Sequence, residues 1–428
     1  MQASNWSSRH YDVVVCGAGS AGCAAAFAAA AAGARTLLIE RLGFCGGTPV
    51  AADIHTLDAI RSCRNVKENI VAGFATKLIE RTLSLGGGAT EDNPEEALVL
   101  NAEHMKVAYD MLLQQAGVEV LHHALAIGAN VTKGRLHGLE LALLDGRATV
   151  ECDVAIDCSG DAMIVYQAGA EWEMDNALQA LTYHFRMGNV QPGYGWKWME
   201  DACRCAIEKH SPGGMVYGGP WIIRLNEHEI SLNATRVFGN PVDPLERSNA
   251  ERKARADMLR LVEILQREVP ALKHSYLVTG ATDLHIRESR KVVGEYKLTE
   301  KDIHECRDFP DAIAYGAWPF DIHPTNGFVG VHPHKESPPQ PYGIPFRCLV
   351  PVRLDGLLVA GKAISTTHVA HGSTRVPGTS MATGQAAGVA AALATRNKVR
   401  PRDVAITELR QELVAQKALL PPLLKEGA

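Results

Sequence analysis

The chain has 428 residues, 46% of them hydrophobic and 21% charged, with a formal net charge of −5. That length exceeds one ordinary core and predicts two intertwined domains, and the ordinary composition excludes a disordered, collagenous or coiled-coil protein. A mildly acidic chain without a long Lys/Arg run has no electrostatic footprint for nucleic acid, so the basic cluster from Arg247 to Arg255 reads as the wet face of a helix.

Met1 to His10 is polar and does not read as a signal peptide. The apolar stretch Val13 to Ala34 is broken by Gly17, Gly19 and Gly22, so it reads as strand, turn and Ala-rich helix rather than a membrane span. Tyr11 to Cys16 predicts a strand, Ala21 to Ala32 a helix ending at Gly33, and Arg35 to Glu40 a second strand. Such a β-α-β unit implies a parallel sheet.

Residues 50 to 115 read as mostly helical, with a break at Gly86-Gly87-Gly88. Val118 to Ala126, Arg135 to Leu144 and Ala148 to Cys158 read as strands, the last two joined at an Asp145-Gly146 turn. From 176 to 344 aromatic residues, His, Pro and Gly increase, and only Arg247 to Val269 is a clear helix. From Phe346 the α/β character returns, with a strand at Gly356 to Ala360 and helices at Met381 to Thr395 and Ile406 to Leu419. The ten cysteines lack the spacing of a disulfide scaffold, which predicts reduced thiols and a cytoplasmic protein.

The strongest local motif is Gly17-Ala-Gly19-Ser20-Ala21-Gly22, between a strand and a helix. Gly17 makes the tight turn, Gly19 lets a pyrophosphate approach the backbone, and Gly22 lets helix and strand pack closely. The helix N-terminus at Ser20 and Ala21 offers free N–H groups to phosphate. Glu40, eighteen residues after Gly22, can accept from both ribose hydroxyls and would repel a 2′-phosphate. This is a Rossmann-type dinucleotide site.

Three further segments favour FAD over NAD. They are Glu40-Arg41 through Cys45-Gly46-Gly47-Thr48, Asp157 to Gly160-Asp161, and Gly356 to Gly361-Lys362 continuing to Thr383-Gly384-Gln385-Ala386. With Ile286 to Tyr296, Gly343 to Pro351 and His368 to Val376, the chain resembles the FAD-dependent oxidoreductases of the glutathione-reductase-like branch, which includes fumarate reductase flavoproteins. The resemblance covers residues 10 to about 419.

The resemblance implies a discontinuous α/β FAD-binding domain, residues 1–175 and 345–428, with an inserted α+β substrate domain over 176–344. It implies that Thr383 to Ala386 present a helix N-terminus to the flavin N1/C2=O edge, where negative charge develops. It also implies that Asp161 and Gly361 approach the ribityl or pyrophosphate region, and that backbone near Ala124 touches adenine.

Hydride transfer to flavin needs a proton acceptor and groups that fix the substrate. His368 is the expected base or substrate hydrogen bonder, with His371 beside it; packing against the flavin or capping the helix is the alternative. Arg375 can bind substrate or pair structurally. Of Arg287 and Arg290, one is expected in the pocket and the other paired with Glu288 or Glu295; Arg347 is similar. Cys45 is a covalent-link candidate but reads better as an apolar filler. His55 and Tyr296 are weaker pocket candidates.

His332-Pro-His334 and His368-Val-Ala-His371 lack completing ligands, so no metal is expected. Trp196-Lys-Trp198 matches half of a halogenase Trp-x-Trp motif without the residues that should follow. No second nucleotide fingerprint marks an NAD(P)H domain. The expectation is an enzyme acting on a small polar or anionic molecule, with electrons leaving to oxygen or another carrier. It includes no nucleic-acid or membrane partner and allows a homo-oligomer. The alternatives are an NAD(P)H-fed flavin monooxygenase and a non-catalytic flavin-binding redox sensor.

Overall fold

The computed structural model describes residues 6, 9–94, 98–210, 217–323 and 337–422. Seven strands form the main sheet: Arg9–Cys16 (β1), Thr36–Ile39 (β2), Glu119–Leu121 (β3), Leu125–Thr132 (β4), Arg135–Leu143 (β5), Gly146–Asp157 (β6) and Leu357–Val359 (β7). The order is β3-β2-β1-β6-β5-β4, with β7 also on β6. Strands β1, β2, β3, β6 and β7 run parallel, while β4 and β5 fold back antiparallel onto β6. Val13 to Val15 and all of β2 are buried: Val13, Val15 and Leu38 join the helix-side core, while Val14, Leu37 and Ile39 share a second core with Leu136, Leu139 and Leu141 of β5.

The first helix, Ser20–Ala31, is Ala-rich and buried nearly all round. It lies against the late helix, Pro377–Asn397. A Cβ on Gly384 or Gly388 would stand 2.1 Å from the carbonyl oxygens of Ala21 or Ala25, so only glycine lets these two backbones approach so closely. The late helix begins a full turn before the expected Met381. Pro377 takes its first position, where the missing N–H costs nothing.

A second unit holds a four-stranded antiparallel sheet in the order Tyr276–Gly280, Phe185–Gly188, Glu229–Thr235, Tyr217–Asn226. Two helices cover it, Trp196–His210 and Pro244–Glu268. Asp243 caps the second by accepting from the backbone N–H groups of Leu245 and Glu246. The first was not expected from the sequence, since its aromatic start hides the buried stripe Met199, Cys203, Ala206 and Ile207.

The core of this unit runs only from Leu181 to Ile286. Leu298 to Phe320 and Tyr342 to Phe346 contribute to the nucleotide-domain core, where Ala312–Gly316 pairs with Tyr342–Pro345 beneath the late helix. Leu298, Ile303, Phe309 and Ile344, which fall within the expected 176–344 insert, thus share the first core. Among the described residues no helix is long and apolar enough to cross a membrane. All ten cysteines are free thiols. His332 and His334 lie outside the described residues.

Candidate active site

The turn after β1 sets the geometry of the nucleotide end. Gly17 has φ +97°, and a Cβ there would lie 2.5 Å from the Cys158 carbonyl oxygen. A Cβ on Gly22 would lie 1.7 Å from the Gly17 oxygen. Gly19 differs: its Cβ would meet only the Gly47 Cα at 3.7 Å, and it faces a cavity of about 580 Å³. The protein itself does not require glycine there, so the open side is a cradle for a ligand.

Ser20 and Ala21 start the first helix on the same wall, and no side chain caps its free N–H groups. The Glu40 carboxylate accepts from the N–H groups of Ala18 at 2.7 Å and Leu42 at 2.8 Å, and it also lines the cavity. Its remaining lone pairs are free to take ribose hydroxyls. A dinucleotide with a diphosphate therefore fits these residues.

Gly47, Thr48, Gly160, Asp161, Gly361 and Lys362 continue the wall. Asp161 meets Lys362 at 3.1 Å, Ser289 at 2.7 Å and Arg247 at 3.8 Å. Burial would raise its pKa, but Lys362, Ser289 and Arg247 hold it below the usual carboxylate range. Arg247 comes from the second unit and also binds Asp283 at 3.0 Å, and Arg41 pairs with the same carboxylate. These charges tie the two units together across the cavity mouth.

The cavity continues into a chamber between the main sheet and the second unit, walled by His184, His285, Arg287, Arg375, Trp221 and Trp318. The two histidine rings lie 5.7 Å apart, and His184 Nε2 and His285 Nδ1 have no hydrogen-bond partner among the described residues. Burial, then the neighbouring arginines, push both well below the ordinary imidazole pKa. Both causes favour the neutral imidazole and make it a weak proton acceptor, leaving it suited to hydrogen-bond a ligand. Arg287 is held through Ala180 O and Thr182 Oγ1, and Arg375 through Asp321.

Several expected residues lie elsewhere. His368 caps no wall of the cavity; it pairs with Glu288 at 2.9 Å, and that bond raises its pKa. His371 is buried behind Arg287, bonded to its carbonyl oxygen at 2.9 Å, and burial lowers it to about 3. Arg290 stacks on Tyr166 and bonds the Asp161 carbonyl rather than Glu288 or Glu295, which hold Lys291 and Arg402 instead. Arg347 is committed to Asp311.

The late helix does bring its N-terminal turn to the cavity, but through Val376, Pro377 and Ser380. Thr383, Gly384, Gln385 and Ala386 lie deeper. Thr383 accepts from Gly361 N, and Gln385 braces Phe74 N and Gln416 O. The shift follows from the early helix start at Pro377. Cys45, Gly46 and Ala124 are also off the wall; Cys45 is fully buried, Gly46 N bonds Ala18 O, and Ala124 N bonds Glu40 O. Gly22 serves packing alone. His55 pairs with Asp53 and Tyr296 with Asp302, both outside the chamber.

The chamber's His184 and His285 were missed, because single histidines on unremarkable strands carry no motif. Two trios of possible metal ligands occur among the described residues, Cys45-Asp110-His122 and Asp175-Glu288-His368. In the second the Lys291 ammonium already bridges Asp175 and Glu288 at 2.6 and 3.0 Å.

The profile of a family described as FAD dependent oxidoreductase matches residues 12–413. Digeranylgeranylglycerophospholipid reductase 1 of Methanopyrus kandleri is 29% identical over 251 residues, covering 54% of this chain and 66% of that protein, just under two thirds of its length. A solved geranylgeranyl bacteriochlorophyll reductase-like protein of Thermoplasma acidophilum is 15% identical with a TM-score of 0.49, covering 96% of this chain and 84% of the other. A myxobacterial FAD-dependent chondrochloren halogenase is 15% identical with a TM-score of 0.48, covering 97% and 84%.

Proposed function

The chain belongs to the family of FAD-dependent oxidoreductases, and on that premise we propose that it transfers a hydride between a small polar or anionic organic molecule and FAD. When bound, FAD supplies a two-electron centre that takes or gives hydride at ring N5. The observation that supports the reading is one continuous cavity. It joins the Glu40 and Ser20 end to a chamber of neutral histidines and buried arginines. Arg287 and Arg375 would orient an oxygen-bearing substrate. His184 Nε2 and His285 Nδ1, which have no partner among the described residues, would hydrogen-bond it. The two units closing over the chamber would exclude water.

The relative's name assigns it a substrate with long isoprenoid chains. Such a chain wants an apolar tunnel, and buried arginines and histidines at the inner end argue for a compact polar substrate here. The antiparallel return of β4 and β5 onto a parallel sheet supports placement in the glutathione-reductase-like branch.

The test is anaerobic mixing of holoprotein with a panel of 2-hydroxy acids and amino acids, followed at ~450 nm. At least one acid should bleach the flavin, and NADPH alone should not. Bleaching by NADPH and by none of the acids would replace this reading with a monooxygenase. Reoxidation by oxygen then separates an oxidase from a dehydrogenase.

A further inference from the structure

We propose that Cys45, Asp110 and His122 form a zinc site behind the dinucleotide-binding turn. One ligand atom from each lies within 4.8 Å of the other two. The residues come from three segments: Cys45 from the loop after β2, Asp110 from the helix Ala102–Gln115, and His122 from the turn after β3. None of them lines the cavity. No spacing in the sequence announces the set, because its members meet only once sheet and helix have packed.

The three side chains converge without serving one another. His122 Nδ1 is buried with no hydrogen-bond partner. The Asp110 carboxylate makes no hydrogen bond or ion pair among the described residues. Lys106 stands four residues earlier on the same helix face, the usual spacing for an ion pair. It turns away, bonding Glu103 at 2.8 Å and lying 4.3 Å from the Phe44 ring centroid. The Cys45 side chain is fully buried, and the Cys23 thiol beside it donates to Ala18 O at 3.2 Å. In the trio of Asp175, Glu288 and His368 the Lys291 ammonium supplies the positive charge. Among the described residues no Lys or Arg does so for Asp110.

The donor set selects the ion. Thiolate, imidazole and carboxylate together suit zinc, whereas magnesium and calcium take oxygen ligands. Zinc bonds of about 2.0–2.3 Å in a tetrahedron put the ligand atoms about 3.3–3.7 Å apart, so the set closes by roughly 1.5 Å or less. Asp110 is exposed and admits the ion, with a water in the fourth position. Binding releases the Cys45 thiol proton to solvent, and thiolate and carboxylate then balance the two charges of the ion.

The site is structural, and what it fastens is the dinucleotide cradle. Gly46 bridges to Gly19 and donates from its N–H to Ala18 O at 2.8 Å, while Ala124 N donates to Glu40 O at 2.9 Å. Zinc held by Cys45 and His122 clamps together the two segments that flank these bonds.

The test uses full-length holoprotein stripped with EDTA and titrated with zinc sulfate against a chromophoric chelator. About one zinc per chain should bind, with a Kd below about 1 μM. X-ray absorption at the zinc edge should show a sulfur neighbour. Asp110→Asn and His122→Gln should each weaken binding at least about tenfold. The Tm should climb with zinc in the wild type and climb less in these two variants. Asp175→Asn, in the other trio, should bind zinc as the wild type does. Cys45→Ser should remove the sulfur signal; if that buried change prevents folding, the Asp110 and His122 variants decide.

No zinc retained against the chelator, a zinc spectrum without sulfur, or unchanged affinity in both Asp110→Asn and His122→Gln would overturn the proposal. Loss of zinc in Asp175→Asn alone would overturn it too, moving the ion to the other trio.

Discussion

Glu40 and His285 show how differently single residues announce themselves. Glu40 was legible because its distance from Gly22 fixes it at the end of the second strand. Replacing it with Gln should weaken FAD binding about tenfold, roughly 1.4 kcal/mol, as measured by fluorescence titration of apoprotein. His184 and His285 were invisible, since proximity across a tertiary boundary leaves no spacing rule in the sequence. Changing either to Gln should slow anaerobic flavin bleaching about a hundredfold while leaving the FAD content intact.

His368 drew attention because it precedes the late helix. The structure gives it Glu288 instead, and this predicts a pH signature. A histidine whose folded pKa is raised contributes its stability fully below the unfolded value of about 6.5. The contribution fades as pH rises through the folded pKa. The Tm gap between the wild type and His368→Gln should therefore be widest below about pH 6.5 and shrink toward alkaline pH. A gap independent of pH would show that His368 acts by packing alone.

At the scale of elements, β1, the first helix and β2 were readable to within one or two residues, because alternation of strand, glycine turn and alanine helix is a local signal. The late helix was read a turn short. Its opening Pro-Gly-Thr-Ser looks like a loop, and Pro377 at the first helical position reverses that reading. The difference moved the helix N-terminus from Thr383 to Val376. Close packing against the first helix also gives a prediction. Gly384→Ala places a methyl 2.1 Å from the Ala21 oxygen, so the two helices must separate. Thermal denaturation should show a loss of about 1–3 kcal/mol or more. An unchanged Tm would mean that the helices are not held at this distance.

At the scale of the molecule, composition does not show which core a segment enters. Residues 298 to 344 are rich in aromatics and proline like the insert before them, yet Ile303, Phe309 and Ile344 complete the nucleotide-domain core. Composition records local habit, whereas domain membership is set by which core a residue enters. The consequence is functional: the chamber lies where the second unit meets the main sheet, with Arg287 just past its boundary and Arg375 from the late segment.

The measurement that bears most directly on the account is the visible spectrum of the purified protein before and after acid precipitation. The prediction is a pair of flavin bands near ~375 and ~450 nm that pass wholly into the supernatant as FAD, because Cys45, His368 and His371 are off the cavity wall. A colourless protein that takes up no added FAD, or colour retained in the pellet, would contradict it.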